Sequence, residues 1–335
     1  YFVSSDESNK VIDLHAHIVF QETMNRAGSF GPEVCTDNDG IVFFRFGGYQ
    51  MKPMDYSKTI FMDVAMRLEE MHRHGIDLQL LSPNPLTFFH HIPAQDAINF
   101  CAAQNDAMAN IVLKHPNKFL GAAALPIQDI DASVKEAERA VKLLGLSAIY
   151  IGTNFPFDID DPCLDPLYSA IAELNVPLFM HPASSGGPGG PDDSRLARFD
   201  MTLILGYAYE ETVAVAQLVL GGVIDRHPNL DICISHGGGV ASYLFPRFEG
   251  WSTLRDWAPD SVKEHGFAHV LKQLWFDSHV PGTLHKKMLL DLVGIDRCVY
   301  GTNFGGWDTP KKADAFAKSL TPNAKKLMRL EGQEI

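Results

Sequence analysis

The chain has no surplus of positive charge, and this absence limits its partners. Its 335 residues contain 28 Lys and Arg against 41 Asp and Glu, which gives a formal net charge of −13. Nucleic-acid-binding surfaces need clustered basic residues, and no basic patch stands out here. The sequence therefore predicts no nucleic-acid partner. A small anionic ligand is still acceptable, because one or two local arginines suffice to bind it.

Cysteine motifs and long apolar runs are also missing. No run of apolar residues is long enough to span a membrane, and the first residues lack the cationic start and apolar core of a signal peptide. The five cysteines lack the paired spacing of a thiolate zinc site or a disulfide framework: Cys35, Cys101, Cys163, Cys233 and Cys298. These absences predict a protein of the reducing cytoplasm with no membrane partner.

The chain is instead rich in short apolar segments that alternate with helical ones. Eight strands are predicted, at residues 11–18, 77–82, 119–125, 148–152, 177–181, 230–236, 273–277 and 297–301. This alternation predicts an α/β fold, a closed (β/α)8 TIM barrel that forms a single domain over 11–335 after a tail at 1–10. An open doubly wound sheet is the alternative. That fold usually has a glycine-rich phosphate turn after its first strand, where this chain has His15 and His17.

An irregular stretch separates the first strand from the first helix. Residues of about 28–50 contain a run of aromatic and β-branched residues preceded by the turn sequence Asp37-Asn38-Asp39-Gly40. This pattern predicts a small β-hairpin inserted into the barrel domain. A segment of this length is more often functional than idle.

Four histidines lie at the ends of three predicted strands. His15 and His17 share one face of the first strand because side chains at i and i+2 point the same way. His181 ends a middle strand and His236 ends the next. The carboxyl ends of barrel strands converge on one mouth, so four such histidines favour a metal site, although each alone is more often structural. His90, His91 and His279 also follow strand ends, without a role that the pattern assigns.

The last strand end lacks the group expected to complete such a site. A metal held by imidazoles usually has a carboxylate nearby, which compensates charge and orients or deprotonates a bound water. The sequence there is Gly301-Thr302-Asn303-Phe304. The Asn303 amide is a weak neutral oxygen ligand and no base.

Five stretches together resemble a known family. They lie at residues 13–17, 119–128, 178–182, 235–239 and 301–304. They resemble the amidohydrolase superfamily, in its decarboxylase-rich amidohydrolase 2 branch, over nearly the whole chain from Val11 onward. The resemblance implies the TIM barrel, a metal-dependent lyase and one divalent metal ion. Zinc is the usual ion, and manganese is the alternative.

The resemblance also implies roles for individual residues. His15, His17 and His181 would hold the metal, and His236 would act beside it as a proton shuttle. Asn303 stands at the metal-binding and catalytic position where the branch normally has an aspartate. Either an engineered aspartate-to-asparagine change or a natural divergence explains this residue, and either one puts full activity of this chain in question.

Substrate-binding residues follow from the same resemblance. Arg45, on the hairpin, corresponds to a carboxylate-binding arginine. Arg247 corresponds to one that enters the neighbouring subunit's site, which implies a homodimer or higher homo-oligomer. A guanidinium binds a carboxylate bidentately, whereas the alternative for each arginine is a surface salt bridge. Aromatic residues near the mouth, including Phe88 and Trp307, would form a flat slot for a conjugated ring, with core packing as their alternative role.

The leading hypothesis is therefore non-oxidative decarboxylation of an aromatic or muconate-like carboxylic acid, within aromatic compound catabolism. The first alternative is a metal-dependent hydrolase or hydratase that acts on a C–C, lactone or amide bond on the same barrel. The second is a binding protein that kept the pocket and lost catalysis through Asn303. Release of CO2 distinguishes the leading hypothesis, and solvent oxygen in the product distinguishes the first alternative.

Overall fold

Eight parallel strands form the centre of the computed structural model, which describes residues 10–52, 54–182, 194–306 and 312–333. The strands, numbered in chain order, are β1 Ile12–Ile18, β2 Glu33–Thr36, β3 Val42–Phe46, β4 Tyr49–Gln50, β5 Leu78–Pro83, β6 Phe119–Ala124, β7 Ala148–Gly152, β8 Leu178–His181, β9 Ile232–Ile234, β10 Trp275–Asp277 and β11 Cys298–Val299. The central sheet has the order β1-β5-β6-β7-β8-β9-β10-β11. Each of the eight strands of the central sheet was predicted and is confirmed, with ends that differ by a few residues.

Helices separate the strands. They are α1 Val64–His74, α2 Ala94–Lys114, α3 Ile130–Lys142, α4 Asp165–Glu173, α5 Tyr207–Leu220, α6 Val223–Arg226, α7 Ala241–Ser252, α8 Asp260–His265, α9 Phe267–Leu271, α10 Thr283–Val293, α11 Ala315–Ser319 and α12 Thr321–Leu327. Local chemistry explains several ends. The Asp63 side chain accepts the Met66 amide at the start of α1, and Gly75 ends that helix in a left-handed conformation.

The first and last strands meet, which closes the barrel. The Leu14 amide donates to the Tyr300 carbonyl at 2.9 Å, and the His17 amide donates to the Phe304 carbonyl at 2.6 Å. Ala16 and Phe304 form a parallel bridge. The closed eightfold barrel predicted from the strand count is therefore confirmed.

A bulge in β1 changes which residues face the barrel interior. Ile12 and Leu14 pack in an inner cluster that also contains Tyr150. Ala16 and Ile18 instead pack in the outer cluster, among residues of the surrounding helices. The pairing of β1 with β5 shifts register between Asp13 and Ala16. Because the side-chain period of a strand is two, this irregularity moves the inward-facing positions from even to odd numbers beyond Leu14.

The predicted insertion after β1 is a three-stranded antiparallel sheet, β2-β3-β4. The Asp37 carboxylate fixes its first turn by accepting the amides of Asp39 and Ile41 at 2.9 and 2.8 Å. Phe44 and Phe46 are buried against apolar residues that follow β1 and β5. The insertion therefore packs on the side of the barrel where those strands end. The domain boundaries at residues 10 and 11 stay a prediction.

One helical segment has the length and composition of a membrane span. Thr202–Leu220 meets both criteria, although polar residues such as Glu210, Glu211 and Gln217 interrupt its apolar sequence. In the fold, Ala214, Val215 and Leu218 of this segment are buried in the outer core. This is the position of a core helix of a barrel.

Candidate metal and active site

Four histidines at the mouth of the barrel converge closely. The His15 ring centroid lies 4.9 Å from that of His17, 5.0 Å from that of His181 and 4.8 Å from that of His236. His17 and His181 are 4.7 Å apart. His279, which follows β10, lies 5.8 Å from His15 and 5.5 Å from His236. The structure therefore brings together the four histidines that the sequence singled out, and it adds His279.

The imidazole nitrogens suit a divalent metal ion. The Nε2 atoms of His15 and His17 lie 3.0 Å apart, and ring nitrogens of His15, His181 and His236 lie within 4.8 Å of one another. His181 Nε2 is buried and has no hydrogen-bond partner among the residues that the structure describes. Buried nitrogens without partners are rare in proteins. A bound cation would satisfy them.

Burial also keeps these imidazoles in the form that binds metal. Desolvation lowers the pKa of His15 to about 4, against the opposing effect of Asp277. Desolvation, together with the neighbouring histidines, places the pKa values of His17 and His181 well below the usual range. Neutral imidazole is the metal ligand. The site is therefore ready for a cation at neutral pH.

Asp277 is a buried carboxylate that the sequence analysis missed. Its Oδ2 lies 2.5 Å from His15 Nδ1, and its Oδ1 accepts the His279 amide at 2.9 Å. Burial opposes its ionisation, but His15, together with His236 and His279, holds the pKa of Asp277 well below its usual range. Because His15 Nδ1–H donates to Asp277, the Nε2 lone pair of His15 faces His17 and the centre of the site. The sequence feature that could have predicted Asp277 as a site residue is its position at the end of a barrel strand.

Glu211 plays a corresponding part for His236. Its Oε1 lies 2.6 Å from His236 Nδ1 and also accepts the Ser235 hydroxyl. Glu211 is buried, and desolvation raises its pKa against the effect of His236. The backbone of His236 is left-handed, with a φ of 46°. This pairing was not predicted, because Glu211 lies on α5 and its sequence context is that of an ordinary helix residue.

A buried polar network supports β1 beneath the histidines. The Asp13 carboxylate accepts the His15 amide at 3.1 Å, the Thr302 hydroxyl at 2.6 Å and the Gln79 amide at 2.8 Å. Arg67 donates to Gln79 Oε1 at 2.8 Å and to the carbonyl of His17. Desolvation raises the pKa of Asp13 to about 6 and lowers that of Arg67 to about 9. The network ties β1 to β5, α1 and the last strand end, and it was not predicted.

Asn303 lies at the end of the last strand, next to β1. The amide of the following residue, Phe304, donates to the His15 carbonyl at 3.2 Å. Asn303 is 8% exposed and left-handed, with a φ of 58°. Its Oδ1 lies so close to Gly306 that a Cβ there would be 2.0 Å from it. No side-chain hydrogen bond joins Asn303 to the histidines within the described ranges.

The two predicted arginines lie on β3 and α7. Arg45 pairs with Glu33 on the neighbouring strand, and its Nη1 lies 3.5 Å from the Gly47 carbonyl. Arg247 lies on α7, where it lines a surface cavity of about 320 Å³ with Trp251 and Trp257. In the described part of the chain, no hydrogen bond or ion pair joins either arginine to the histidines.

The predicted aromatic residues have different outcomes. Phe88 is buried, and its ring lies 6.4 Å from that of His181. Tyr150 and Tyr207 also approach His181, at 6.2 and 6.0 Å. Trp307 lies outside the described residues. The rings around His181 form an apolar side to the histidine cluster.

Comparisons with known proteins place the chain in a family context. A family model described as "Amidohydrolase" matches residues 12–327. A 2-amino-3-carboxymuconate-6-semialdehyde decarboxylase of Dictyostelium discoideum is 30% identical over 243 residues, which are 72% of this chain and 66% of that protein. A gamma-resorcylate decarboxylase of Rhizobium sp. is 27% identical over 328 residues, 90% of this chain and 96% of that protein. A 2-keto-4-carboxy-3-hexenedioate hydratase of Sphingobium sp. is 26% identical over 72% of this chain and 69% of its own length.

Solved structures share the fold. A 2,6-dihydroxybenzoate decarboxylase from Rhizobium superposes with a TM-score of 0.75 at 24% identity, covering 97% of this chain and 100% of that one. A dihydroxybenzoic acid decarboxylase from Polaromonas sp., with bound manganese and the inhibitor 2-nitroresorcinol, gives 0.73 at 22% identity, with coverages of 96% and 97%. At this level of identity, the two structures establish the barrel fold.

Proposed function

This chain belongs to the amidohydrolase family, and from that premise we propose that it is a metal-dependent, non-oxidative decarboxylase of an aromatic or muconate-like carboxylic acid. Relatives named as decarboxylases of such acids match 72% and 90% of the chain. The observation that carries the proposal is the group of buried imidazoles, in which His181 Nε2 has no partner among the described residues. This donor set suits a divalent cation. A role in aromatic compound catabolism in the cytoplasm is part of the proposal.

His15, His17 and His181 would hold the cation. The manganese in the Polaromonas structure makes Mn²⁺ the first candidate, and Zn²⁺ is the second because it too prefers imidazole ligands. When bound, the ion would act as a Lewis acid toward substrate oxygens and orient the acid. Asp277 fixes the tautomer of His15, and Asn303 offers at most a neutral oxygen. Metal content after purification, measured by mass spectrometry, decides between the two ions.

His236 handles the proton in this proposal. The bond between the ring carbon and the carboxylate breaks, CO2 leaves, and the electron pair left on that carbon takes a proton. Glu211 accepts a hydrogen bond from Nδ1–H of His236. Nε2 is therefore the nitrogen that delivers or receives the reacting proton. The rings of Phe88, Tyr150 and Tyr207 beside His181 provide an apolar surface for the flat substrate. Trp307 is proposed as a further aromatic contact.

The arginines are proposed as carboxylate-binding groups in two different ways. Arg45 is paired with Glu33, so a substrate carboxylate would have to replace Glu33. Arg247 would act from a second copy of the chain. Exposed Trp251 and Trp257 beside Arg247, at 60% and 62% exposure, support a homodimer through this surface. Sedimentation velocity of Trp251→Glu against the unchanged chain tests the dimer.

The alternative function is a hydratase or hydrolase on the same barrel. A relative named as a hydratase supports it, and so does Asn303, because a changed ligand set can accompany a changed reaction. The experiment incubates the Mn²⁺-loaded protein with 2,6-dihydroxybenzoate in H₂¹⁸O. With 2-amino-3-carboxymuconate-6-semialdehyde, whose aldehyde oxygen exchanges with water, it measures CO2 alone. Release of CO2 without ¹⁸O in the organic product is expected. Incorporation of ¹⁸O without CO2 supports the alternative.

A matched pair of variants tests the role of His236. His236→Ala should lose about 10²–10⁴-fold in rate, which is the usual contribution of a general acid or base. His265→Ala, at an exposed histidine on α8, should leave the rate unchanged. Equal rates for both variants and the unchanged chain would rule out His236 as the proton donor. Tight binding of the acids without turnover would favour a binding protein.

A further inference from the structure

His90 is a buried histidine at the barrel mouth that the proposed mechanism does not use. It follows β5 and is 5% exposed. Its ring covers Gly152 so closely that a Cβ on that glycine would lie 2.6 Å from His90 Cε1. Gly152 is the residue of β7 that pairs with His181 of β8. The absence of a side chain at residue 152 therefore makes room for His90 beside the proposed metal ligand.

The ring of His90 is held in one orientation. It stacks on Phe88, with centroids 5.3 Å apart and an interplanar angle of 10°, and Phe88 in turn lies 6.4 Å from His181. His90 Nδ1 lies 3.2 Å from the Asn154 carbonyl. Since a carbonyl only accepts, Nδ1 carries the proton and donates it. Nε2 is then an acceptor, and it has no hydrogen-bond partner among the described residues.

Two further observations support a neutral, fixed acceptor. Desolvation lowers the pKa of His90 to about 4, so the ring is uncharged at neutral pH. Asn154 is itself held, because its side chain hydrogen-bonds to Glu210, which is 7% exposed. Glu210 lies on α5, one helical turn after Tyr207, whose ring is 6.0 Å from that of His181. Elements after β5, β7 and β8 therefore fix the position of one imidazole.

We propose that His90 determines specificity by accepting, through Nε2, a hydrogen bond from a hydroxyl substituent on the ring of the aromatic acid. This inference rests on the proposed function, because it takes an aromatic acid to bind at the histidine cluster. In this proposal the ring of the acid lies beside the stacked pair of Phe88 and His90, and the acceptor at the edge of His90 requires a donor. A substrate without a hydroxyl would leave the Nε2 acceptor of His90 unpaired. A site whose polar group is left unpaired binds such a substrate more weakly.

The test measures binding of non-reacting and reacting acids to the Mn²⁺-loaded protein by titration calorimetry. The probes are benzoate, 2-hydroxybenzoate, 3-hydroxybenzoate and 2,6-dihydroxybenzoate. The unchanged chain should bind at least one hydroxylated acid about tenfold more tightly than benzoate, the size of one hydrogen bond of about 1.4 kcal/mol. His90→Phe keeps the stacking and removes the acceptor. It should lose the preference, with the Kd for benzoate changed by less than about threefold.

Two companion variants make the outcome interpretable. His91→Phe, at the exposed neighbouring residue, should keep the preference. Gly152→Ala, which displaces the His90 ring without removing it, should lose the preference and serves if His90→Phe does not fold. A preference that persists in folded His90→Phe overturns the inference, as does one that persists in Gly152→Ala where His90→Phe does not fold. The inference is also overturned if the unchanged chain binds benzoate and every hydroxybenzoate equally. Failure of all four acids to bind instead counts against the aromatic substrate class of the proposed function.

Discussion

Replacement of Asp277 by asparagine should damage the metal site without removing any proposed metal ligand. In the native site, Asp277 Oδ2 accepts a hydrogen bond of 2.5 Å from Nδ1–H of His15, so the Nε2 lone pair of His15 faces the centre of the cluster. The amide nitrogen of the asparagine side chain cannot accept a hydrogen bond. With that nitrogen facing His15, Nδ1 becomes the acceptor and the proton moves to Nε2, where it points at His17 Nε2 only 3.0 Å away.

The expected loss follows from this tautomer change. Mutation of a carboxylate that orients a metal-bound histidine typically costs 10–100-fold in metal affinity, or about 1.4–2.8 kcal/mol. Asp277 is 3% exposed, so solvent cannot replace the lost acceptor. We therefore expect a loss toward the upper end of that range for Mn²⁺ in Asp277→Asn.

Competition with a chelator of known affinity measures this loss directly. The matched control is Asp231→Asn, because Asp231 is also a barrel carboxylate and accepts Trp275 Nε1 at 2.8 Å and Arg329 at 2.6 Å. That change removes a carboxylate at the opposite end of the strands, away from the histidines, and should leave the Mn²⁺ affinity unchanged. In nitrogen-15 spectra, the Nδ1–H signal of His15 should be lost only in Asp277→Asn.

Two results would refute the reasoning. An Asp277→Asn protein that binds Mn²⁺ within about twofold of the unchanged chain would show that the carboxylate does not control His15. Equal losses in Asp277→Asn and Asp231→Asn would attribute the effect to a general weakening of the barrel.

Three further predictions concern the metal and the network beneath it. Asn303→Asp should tighten Mn²⁺ binding in the same competition assay, because it adds a carboxylate next to Phe304, whose amide donates to the His15 carbonyl. An unchanged Mn²⁺ affinity would show that residue 303 is not a metal ligand. Mn²⁺ at a hundredfold its Kd should raise the free energy of unfolding by about 2.7 kcal/mol, and His181→Ala should abolish the gain in urea titrations. The pKa of Asp13, raised to about 6 by burial, exceeds the unfolded value of 3.8, so the native state keeps a proton that the unfolded chain releases between pH 4 and 6. Asp13 should therefore contribute less to the unfolding free energy as pH rises through this window, by up to about 3 kcal/mol. The unfolding free energy of Asp13→Asn should lack this dependence on pH. The same change with pH in both proteins would contradict the prediction.

The barrel could be predicted from the sequence because its signals are local. Parallel strands buried on both faces appear as short apolar runs, and glycines such as Gly75 mark helix ends. The convergence of His15, His17, His181 and His236 needed only strand ends and the rule that these ends share one mouth. No long-range partner had to be known for either inference.

The supporting groups could not be predicted because their partners lie far along the chain. His15 and Asp277 are separated by 262 positions, and nothing near either residue specifies the other. Glu211 and Arg67 lie on helices, and the rotation of each helix about its own axis decides whether a charged side chain faces solvent or the interior. The Glu33 partner of Arg45 depends on the pairing of β2 with β3, and the resemblance alone did not reveal it.

Closure of the barrel has a consequence for the order in which the site is made. The hydrogen bonds that fix β1 against the last strand end join residues 289 positions apart, Asp13 and Thr302. At the usual 5–20 residues per second of synthesis, His15 emerges about 15 to 60 s before Thr302 exists. During that interval the amino-terminal strand has one unpaired edge, and Asp277 is also absent for most of it. The metal site is therefore completed only when nearly the whole chain has been made, and a chain that stops short of the last strand should carry the histidines without the closed barrel that aligns them.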